Sequence, residues 1–364
     1  MADLVRVVKP PDAIRQIRKN CYRVREIIFE TDIKYYPLKP IGRGSHGVLC
    51  AALNLDTNDK VAIKKISNVF KDPKTAVNTL RELMILRQIQ HENIIALKHV
   101  MLPSQRTRFE DVYLVFELMK TSLHNYIQTR KQLFEDQIRY FIFQILCGLN
   151  YLHSVNVLHR DLRPSNILVD SNCRLKICDF GLSRATARRD SKFMNPCIGA
   201  PWYRAPELLL GNNNYGPSID VWSIGCIFAE LLGRTPIFPG SDPLNQLQRI
   251  ISMLGTPGEE DLDFIQNEKA RRYIKSLRYS NGTRLSSRFP KADSTGLDLL
   301  ESMLLFDPNK RITAAEALNH PYMAPYFDPS TVRPAQFPVE LDVEKDMEKT
   351  AIRERIWQEI LHFQ

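Results

Sequence analysis

The sequence predicts an α+β fold in two lobes, a small β-rich lobe first and a larger α-rich lobe after it. Three observations predict this. From Tyr35 to about Val115 the segments YPLKPIG, HGVLCAAL, KVAIKKI and VYLVFEL are short, β-rich and broken by turn residues. After Met119 helical periodicity takes over. Strands and helices are thus segregated along the chain, which argues against a doubly wound sheet.

Residues 1–34 read as a partly ordered extension, 35–119 as the β-rich lobe, 120–326 as the α-rich lobe and 327–364 as a C-terminal extension. In the first lobe, KTAVNTLRELMILRQI places Val77, Leu80, Ile85, Leu86 and Ile89 roughly on one helical face. In the second, FEDQIRYFIFQILCGLNYLHS is one long helix with Ile138, Phe141, Ile142, Ile145, Leu146 and Leu149 on a buried stripe. SIDVWSIGCIFAELL is apolar nearly all round and belongs in a core.

Composition narrows the class. The 364 residues suit one large domain or two fused lobes, and 44% hydrophobic with 25% charged residues is ordinary for a globular chain. No apolar run is long enough to span a bilayer, and the N-terminus has no signal-peptide core. Seven scattered cysteines without metal-ligand spacing read as reduced thiols of a cytoplasmic or nuclear protein. The net charge of +9 is spread along the chain, densest at Arg15, Arg18, Lys19, Arg23 and Arg25. It reads as a solvated basic face, so neither a specific nucleic acid nor a membrane is expected as partner.

The chemistry lies in an ordered set of motifs. Gly42-Arg43-Gly44-Ser45-His46-Gly47 joins two strand-like segments, as a hairpin over nucleotide phosphates requires and a dinucleotide-binding turn does not. Val61-Ala62-Ile63-Lys64 puts a lysine on the next strand, and Glu82 in the following helix is its candidate partner. His159-Arg160-Asp161-Leu162-Arg163-Pro164-Ser165-Asn166, then Asp179-Phe180-Gly181 and Ala205-Pro206-Glu207, follow in order. Each is a weak signal alone; together they specify phosphoryl transfer, which needs positioning and charge neutralisation more than covalent help. Asp161 accepts or orients the substrate hydroxyl proton, Asn166 and Asp179 hold Mg²⁺, Lys64 grips ATP, and Glu207 pairs with Arg311.

With TDIKYYPLKPIGRGSHGV, TLRELMILRQIQHENII, GLNYLHS, DVWSIGCIFAELL, PIFPG and LDLLESMLLFDPNKRITAAEALNHPYM, the chain resembles the mitogen-activated protein (MAP) kinases from about Asp32 to its C-terminus, most of all those of plants. The resemblance implies the bilobal protein-kinase fold, with a family insert after Gly240. It implies nucleotide contacts from Ile41, Gly42, Gly44, Gly47, Leu49, Ala62, Lys64, Phe116, Leu118, Met119, Ser122 and Leu168. Phe116 falls at the gatekeeper position behind the adenine, and Leu118 and Met119 at the hinge. Asp342, Glu344 and Asp346 match an acidic patch that captures protein substrates and upstream kinases or regulators, unless they are merely a charged loop interrupted by Lys345 and Lys349. The final AIRERIWQEILHF, with Ile352, Ile356, Trp357 and Ile360 on one face, is expected to pack back on the small lobe or to meet a partner.

Departures from the family cluster around the active site. Asn195-Pro196-Cys197 stands where MAP kinases carry Thr-Glu-Tyr or a similar triplet, and Ala200-Pro201 replaces Thr-Arg. Arg81, Arg160 and Arg184 match the arginines that clamp the missing threonine's phosphate. Facing no anion they repel one another; a bound anion, a partner carboxylate or phosphate on Ser191 or Thr186 compensates, or all three point to solvent. Arg163 replaces a γ-phosphate lysine, with catalytic consequence, and Ser122 replaces a ribose-binding aspartate. Cys178, beside Asp179, reads as a core cysteine or a reactive thiol, and His46 as a solvated side chain. The reading is an ATP- and Mg²⁺-dependent serine/threonine kinase with non-standard activation; the rivals are a catalytically weak docking or decoy protein and a nucleic-acid binder.

Overall fold

A computed structural model describes residues 5–8, 19–24, 26–44, 47–129, 133–185, 201–212, 214–329, 337–343 and 347–364. Outside the described residues lie Arg15, Arg18, Arg25, His46, Thr186, Ser191, Asn195 to Cys197, Ala200, Glu344 and Asp346.

The first strands fall where the sequence reading expected only a partly ordered extension. β1 (Val5–Val8), β2 (Lys19–Val24) and β3 (Ile27–Asp32) form an antiparallel three-stranded sheet. Alternation is visible in β3, where Ile28 is exposed and Phe29 fully buried. The sheet is tied down by long-range bonds: Lys65 Nζ donates to the Ile28 carbonyl (2.6 Å) and the Glu30 N–H donates to the Tyr113 hydroxyl (3.1 Å). No local pattern announces those partners.

Next come β4 (Tyr35–Gly44), β5 (Gly47–Asn54) and β6 (Lys60–Ile66), then helix α1 (Pro73–Gln88), β7 (Leu97–Val100) and β8 (Val112–Glu117). They make one antiparallel sheet in the order β4-β5-β6-β8-β7, with α1 against it. Asp72 caps α1 by accepting from the Lys74 and Thr75 N–H groups, and Pro73 occupies the first turn, where its missing N–H costs nothing.

The chain crosses to the second lobe through β9 (Thr121–Ser122) and α2 (Leu123–Gln128), followed by the long α3 (Glu135–Ser154). Short strands β10 (Val157–Leu158), β11 (Ile167–Val169), β12 (Leu175–Ile177) and β13 (Arg184–Ala185) carry the loops of the site. Helices α4 (Pro206–Leu209), α5 (Ser218–Gly233), α6 (Pro243–Leu254), α7 (Glu268–Ser276), α8 (Leu285–Arg288), α9 (Ser294–Met303) and α10 (Ala314–Leu318) complete the lobe. The predicted stripe of α3 is buried, and α5, apolar nearly all round, is buried without a break from Ile219 to Leu231, its Asp220, Ser223 and Glu230 included.

The chain then returns to the first lobe as α11 (Lys349–His362), which packs Ile352, Ile356 and Ile360 inward. Its partner is α1, and this explains why α1 is buried from Ala76 to Leu86 rather than along one stripe.

Candidate active site

The site lies where the glycine hairpin, α1 and the loops between β10 and β13 converge. In the β4–β5 hairpin Gly44 pairs with Gly47, and Gly42 with Leu49. Gly47 has φ +137°, and a Cβ there would sit 2.2 Å from the Lys65 carbonyl oxygen, so only glycine fits. Pairing of β5 with β6 sets Lys64 opposite Leu49, and pairing of β6 with β8 sets Ala62 opposite Phe116. β9 lies on β11 so that Ser122 faces Leu168. Ile41, Gly42, Gly47, Leu49, Ala62 and Phe116 thus lie on neighbouring strands of the first-lobe sheet, and Ser122 and Leu168 on neighbouring strands of a second-lobe sheet; Leu118 and Met119, half-buried, lie in the segment that joins the two lobes. Ser122 is committed locally: its hydroxyl accepts from the Asn125 N–H (3.2 Å) and caps α2.

Lys64 Nζ donates to both Glu82 carboxylate oxygens at 2.9 Å and lies 3.7 Å from Asp179 Oδ1. Burial alone would depress this ammonium, but the charges of Glu82 and Asp179 outweigh it and hold the pKa above its ordinary value. Lys64 therefore stays charged, as a phosphate grip must.

The loop after β10 is held by a residue the sequence reading passed over. Asp220, fully buried in α5, accepts from the backbone N–H groups of His159 and Arg160 (2.8 Å each) and faces His153 Nε2 at 3.2 Å. Burial would raise its pKa, yet His153, His159 and these N–H groups lower it. The sequence signal was partial: an aspartate inside a largely apolar helix calls for a bonded partner, but nothing local names that partner. Held in this way, Arg160 and Asp179 both take left-handed backbone conformations at φ 70°. The His159 ring packs edge-on to Phe180 (5.2 Å) and its Nε2 meets the Cys178 carbonyl oxygen (3.1 Å), which joins the two loops.

Within this frame Asn166 Nδ2 donates to both the carbonyl and Oδ2 of Asp161 (2.8 Å each). The Asn166 carbonyl oxygen is thereby turned away from Asp161, and Cys178 N–H donates to the Asn166 backbone carbonyl (2.9 Å), which brings Asp179 alongside. The Asp161 carboxyl is raised by burial, with Asp179 adding to the rise, and is restrained by Arg163, His159 and the Asn166 bond. Arg163 Nε lies 3.5 Å from Asp161 Oδ2 and has no hydrogen-bond partner. Burial and Asp179 push the Cys178 thiol up, out of the range of a reactive thiolate.

Arg81 on α1 and Arg160 on the catalytic loop are brought close enough for the charge of Arg160 to act on Arg81. Arg81 is 6% exposed, which excludes the solvent-facing reading for that residue; its Nη1 donates to Asn78 Oδ1 at 3.2 Å. Burial first and Arg160 second lower its pKa to about 10. Arg160 is also lowered by burial, and its buried Nε has no hydrogen-bond partner. Arg184 Nη1 donates to the Leu182 and Ser183 carbonyls at 3.1 and 2.7 Å. Away from the cleft, Arg311 makes a buried pair with Glu207 (2.8 Å), and the exposed Asp342 lies 4.0 Å from Arg355.

This geometry, a charged lysine between two carboxylates below a glycine hairpin and an aspartate oriented beside an asparagine, is that of a phosphoryl-transfer enzyme. The chain matches the protein kinase domain over residues 35–323. It is 55% identical over 357 residues to "Mitogen-activated protein kinase 7" of Arabidopsis thaliana, across 98% of this chain and 97% of that one. It is 56% identical to "Mitogen-activated protein kinase homolog NTF3" of Nicotiana tabacum (98% and 95% covered) and 54% to "Mitogen-activated protein kinase 4" of Oryza sativa subsp. japonica (98% and 96%). The chain belongs to the protein kinases and, within them, to the MAP kinase family of plants. It is accordingly a serine/threonine protein kinase, a transferase of MAP-kinase type, and the inactive decoy finds no support. Protein kinases use ATP, generally with Mg²⁺, and MAP kinases act with substrates and upstream kinases. No described helix is long and apolar enough to cross a membrane.

Proposed function

We propose that this kinase transfers the γ-phosphate of ATP to protein hydroxyls with Asp161 as proton acceptor, and that it reaches its working geometry without the usual activation triplet. The carrying observation is the Lys64 ammonium held between Glu82 and Asp179, with Asp161 fixed by Asn166. Lys64 binds the α- and β-phosphates, and the glycine hairpin supplies backbone N–H groups above them. Ile41, Leu49, Ala62 and Leu168 offer apolar walls for the base.

The residues present suit a hard cation. Asn166 gives its amide nitrogen to Asp161 and keeps its carbonyl oxygen, and Asp179 adds a carboxylate. Two protein oxygens suffice for Mg²⁺, which keeps waters and takes the rest of its shell from phosphates. When bound, the ion neutralises charge on the transferred group. Asp161, its pKa raised by burial, takes the hydroxyl proton, and Arg163, whose Nε lies 3.5 Å from Asp161 Oδ2 without a hydrogen bond, serves the γ-phosphate in place of a lysine.

Arg81 and Arg160 await an anion, with Arg184, paired across β10 and β13 with Leu158 two residues before Arg160, to complete the set; phosphate on Ser191 or Thr186, or a partner carboxylate, would meet the need. Asp342, with Glu344 and Asp346, captures basic segments of substrates and upstream regulators. The cytosol or nucleus is the compartment, in keeping with the six free thiols among the described cysteines.

The test is transfer from ATP to a general acceptor protein and to the kinase itself. Asp161→Asn should lose ~10²–10⁴-fold in rate while binding ATP as before. Equal transfer by both proteins would remove Asp161 from the chemistry.

A further inference from the structure

Two features of α1 pull in opposite directions. On one side the buried Arg81 feels the like charge of the half-buried Arg160 on the other lobe, which pushes the helix away from the catalytic loop. On the other side the last turn of α1 is held. Arg87 donates through Nε and Nη2 to both oxygens of Glu359 in α11, at 2.8 and 3.4 Å, and Glu359 is 7% exposed. The next residue, Gln88, forms a two-way pair with the backbone of Glu340: Nε2 donates to the carbonyl, and Oε1 accepts from the N–H, both at 3.0 Å. Residues 337–343 are in turn fastened to the second lobe, since Val339 N–H donates to the Val155 carbonyl (2.9 Å).

Glu82 stands five residues, about 7.5 Å of helix, before Arg87. A helix moves as a rigid unit over that span, so whatever fixes Arg87 fixes Glu82, and Glu82 fixes Lys64. We propose that Arg87 and Glu359 are positioning residues for phosphate transfer: the C-terminal helix holds α1 in place against the repulsion of Arg81 and Arg160, and so forms the Lys64–Glu82 pair without an activating phosphate. The proposal rests on the kinase reading of Lys64 and Glu82. It assigns to the C-terminal helix the work that an anion between the two arginines would otherwise do.

The experiment uses the full chain with Glu359→Arg, alone and combined with Arg87→Glu. Three readouts are taken: kcat and KM for ATP, the dissociation constant of ATP by equilibrium binding, and amide exchange across Thr79–Leu86 against that of α5. Glu359→Arg should lower kcat about tenfold, an effect of ~1.4 kcal/mol on the barrier. It should weaken ATP binding several-fold and speed exchange in α1 while α5 keeps its protection. The charge-exchanged double variant should recover at least half of each loss. Unchanged binding and α1 exchange in the single variant overturn the proposal, as does a loss that the double variant fails to recover. If Glu359→Arg does not fold, Glu359→Gln, which keeps an acceptor, should show a smaller change of the same sign, and no change overturns the idea. Absence of transfer in the parent protein would count against the kinase chemistry alone, because binding and exchange still report on α1.

Discussion

At the scale of single residues, charge and burial around Asp161 make a prediction about pH. The carboxylate must be unprotonated to accept a proton, so activity falls as pH drops through its raised pKa. Arg163 holds that pKa down. Arg163→Ala should therefore move the acid limb of the kcat/KM profile to higher pH, besides lowering its plateau; a limb that stays in place would show that Arg163 does not act on Asp161. Asp220 gives a stability counterpart. Its depressed pKa means that its contribution is complete above the ordinary aspartate value and is lost as pH falls through the folded value. Asp220→Ala leaves the His159 and Arg160 N–H groups unpaired inside the protein and should cost ~2–5 kcal/mol by urea unfolding. The motif residues were legible because phosphoryl transfer demands particular groups at particular spacings. Asp220 was not, since its bond to His159 spans 61 residues and only the fold closes that distance.

At the scale of elements, the glycine hairpin and α1 are the parts most exposed to small changes. Gly47→Ala sets a methyl against the Lys65 carbonyl at a backbone angle that side chains rarely adopt. It should destabilise the β5–β6 pairing by ~1–3 kcal/mol and weaken ATP binding, read by equilibrium unfolding and binding on the same protein. On α1, inorganic phosphate should raise the unfolding midpoint beyond a chloride control of equal ionic strength, and Arg81→Leu should abolish the difference. No difference in the parent protein would mean that the two arginines take no free anion. Helix periodicity located α1 to within a residue at each end, but it showed one apolar face where two are covered. Arg81 and Arg87 look alike in sequence; one turns out to face a like charge and the other a carboxylate, which only packing decides. The hairpin of β2 and β3 was illegible for a related reason, because its anchors on Lys65 and Tyr113 are remote.

At the scale of the whole molecule, buried polar links join segments far apart in the chain. Arg311, with a fully buried side chain, pairs with Glu207 across 104 residues and also donates to the Ser218, Leu305 and Phe306 carbonyls. Glu207→Ala would strand that guanidinium and should cost ~3–5 kcal/mol, seen as a lower unfolding midpoint in denaturant with activity intact at low temperature; a change of a few tenths would show that the carbonyls alone satisfy Arg311. The bilobal architecture itself was plain in the sequence, since strand and helix patterns are segregated and strongly periodic.

The return of α11 to α1 has a consequence for how the protein is made. Arg87 and Glu359 are 272 residues apart, so at ordinary elongation rates roughly 15–55 s separate their synthesis. During that interval the first lobe leaves the ribosome with one apolar side of α1 uncovered. The nascent chain thus carries its nucleotide-binding half before the helix that covers α1 has been made.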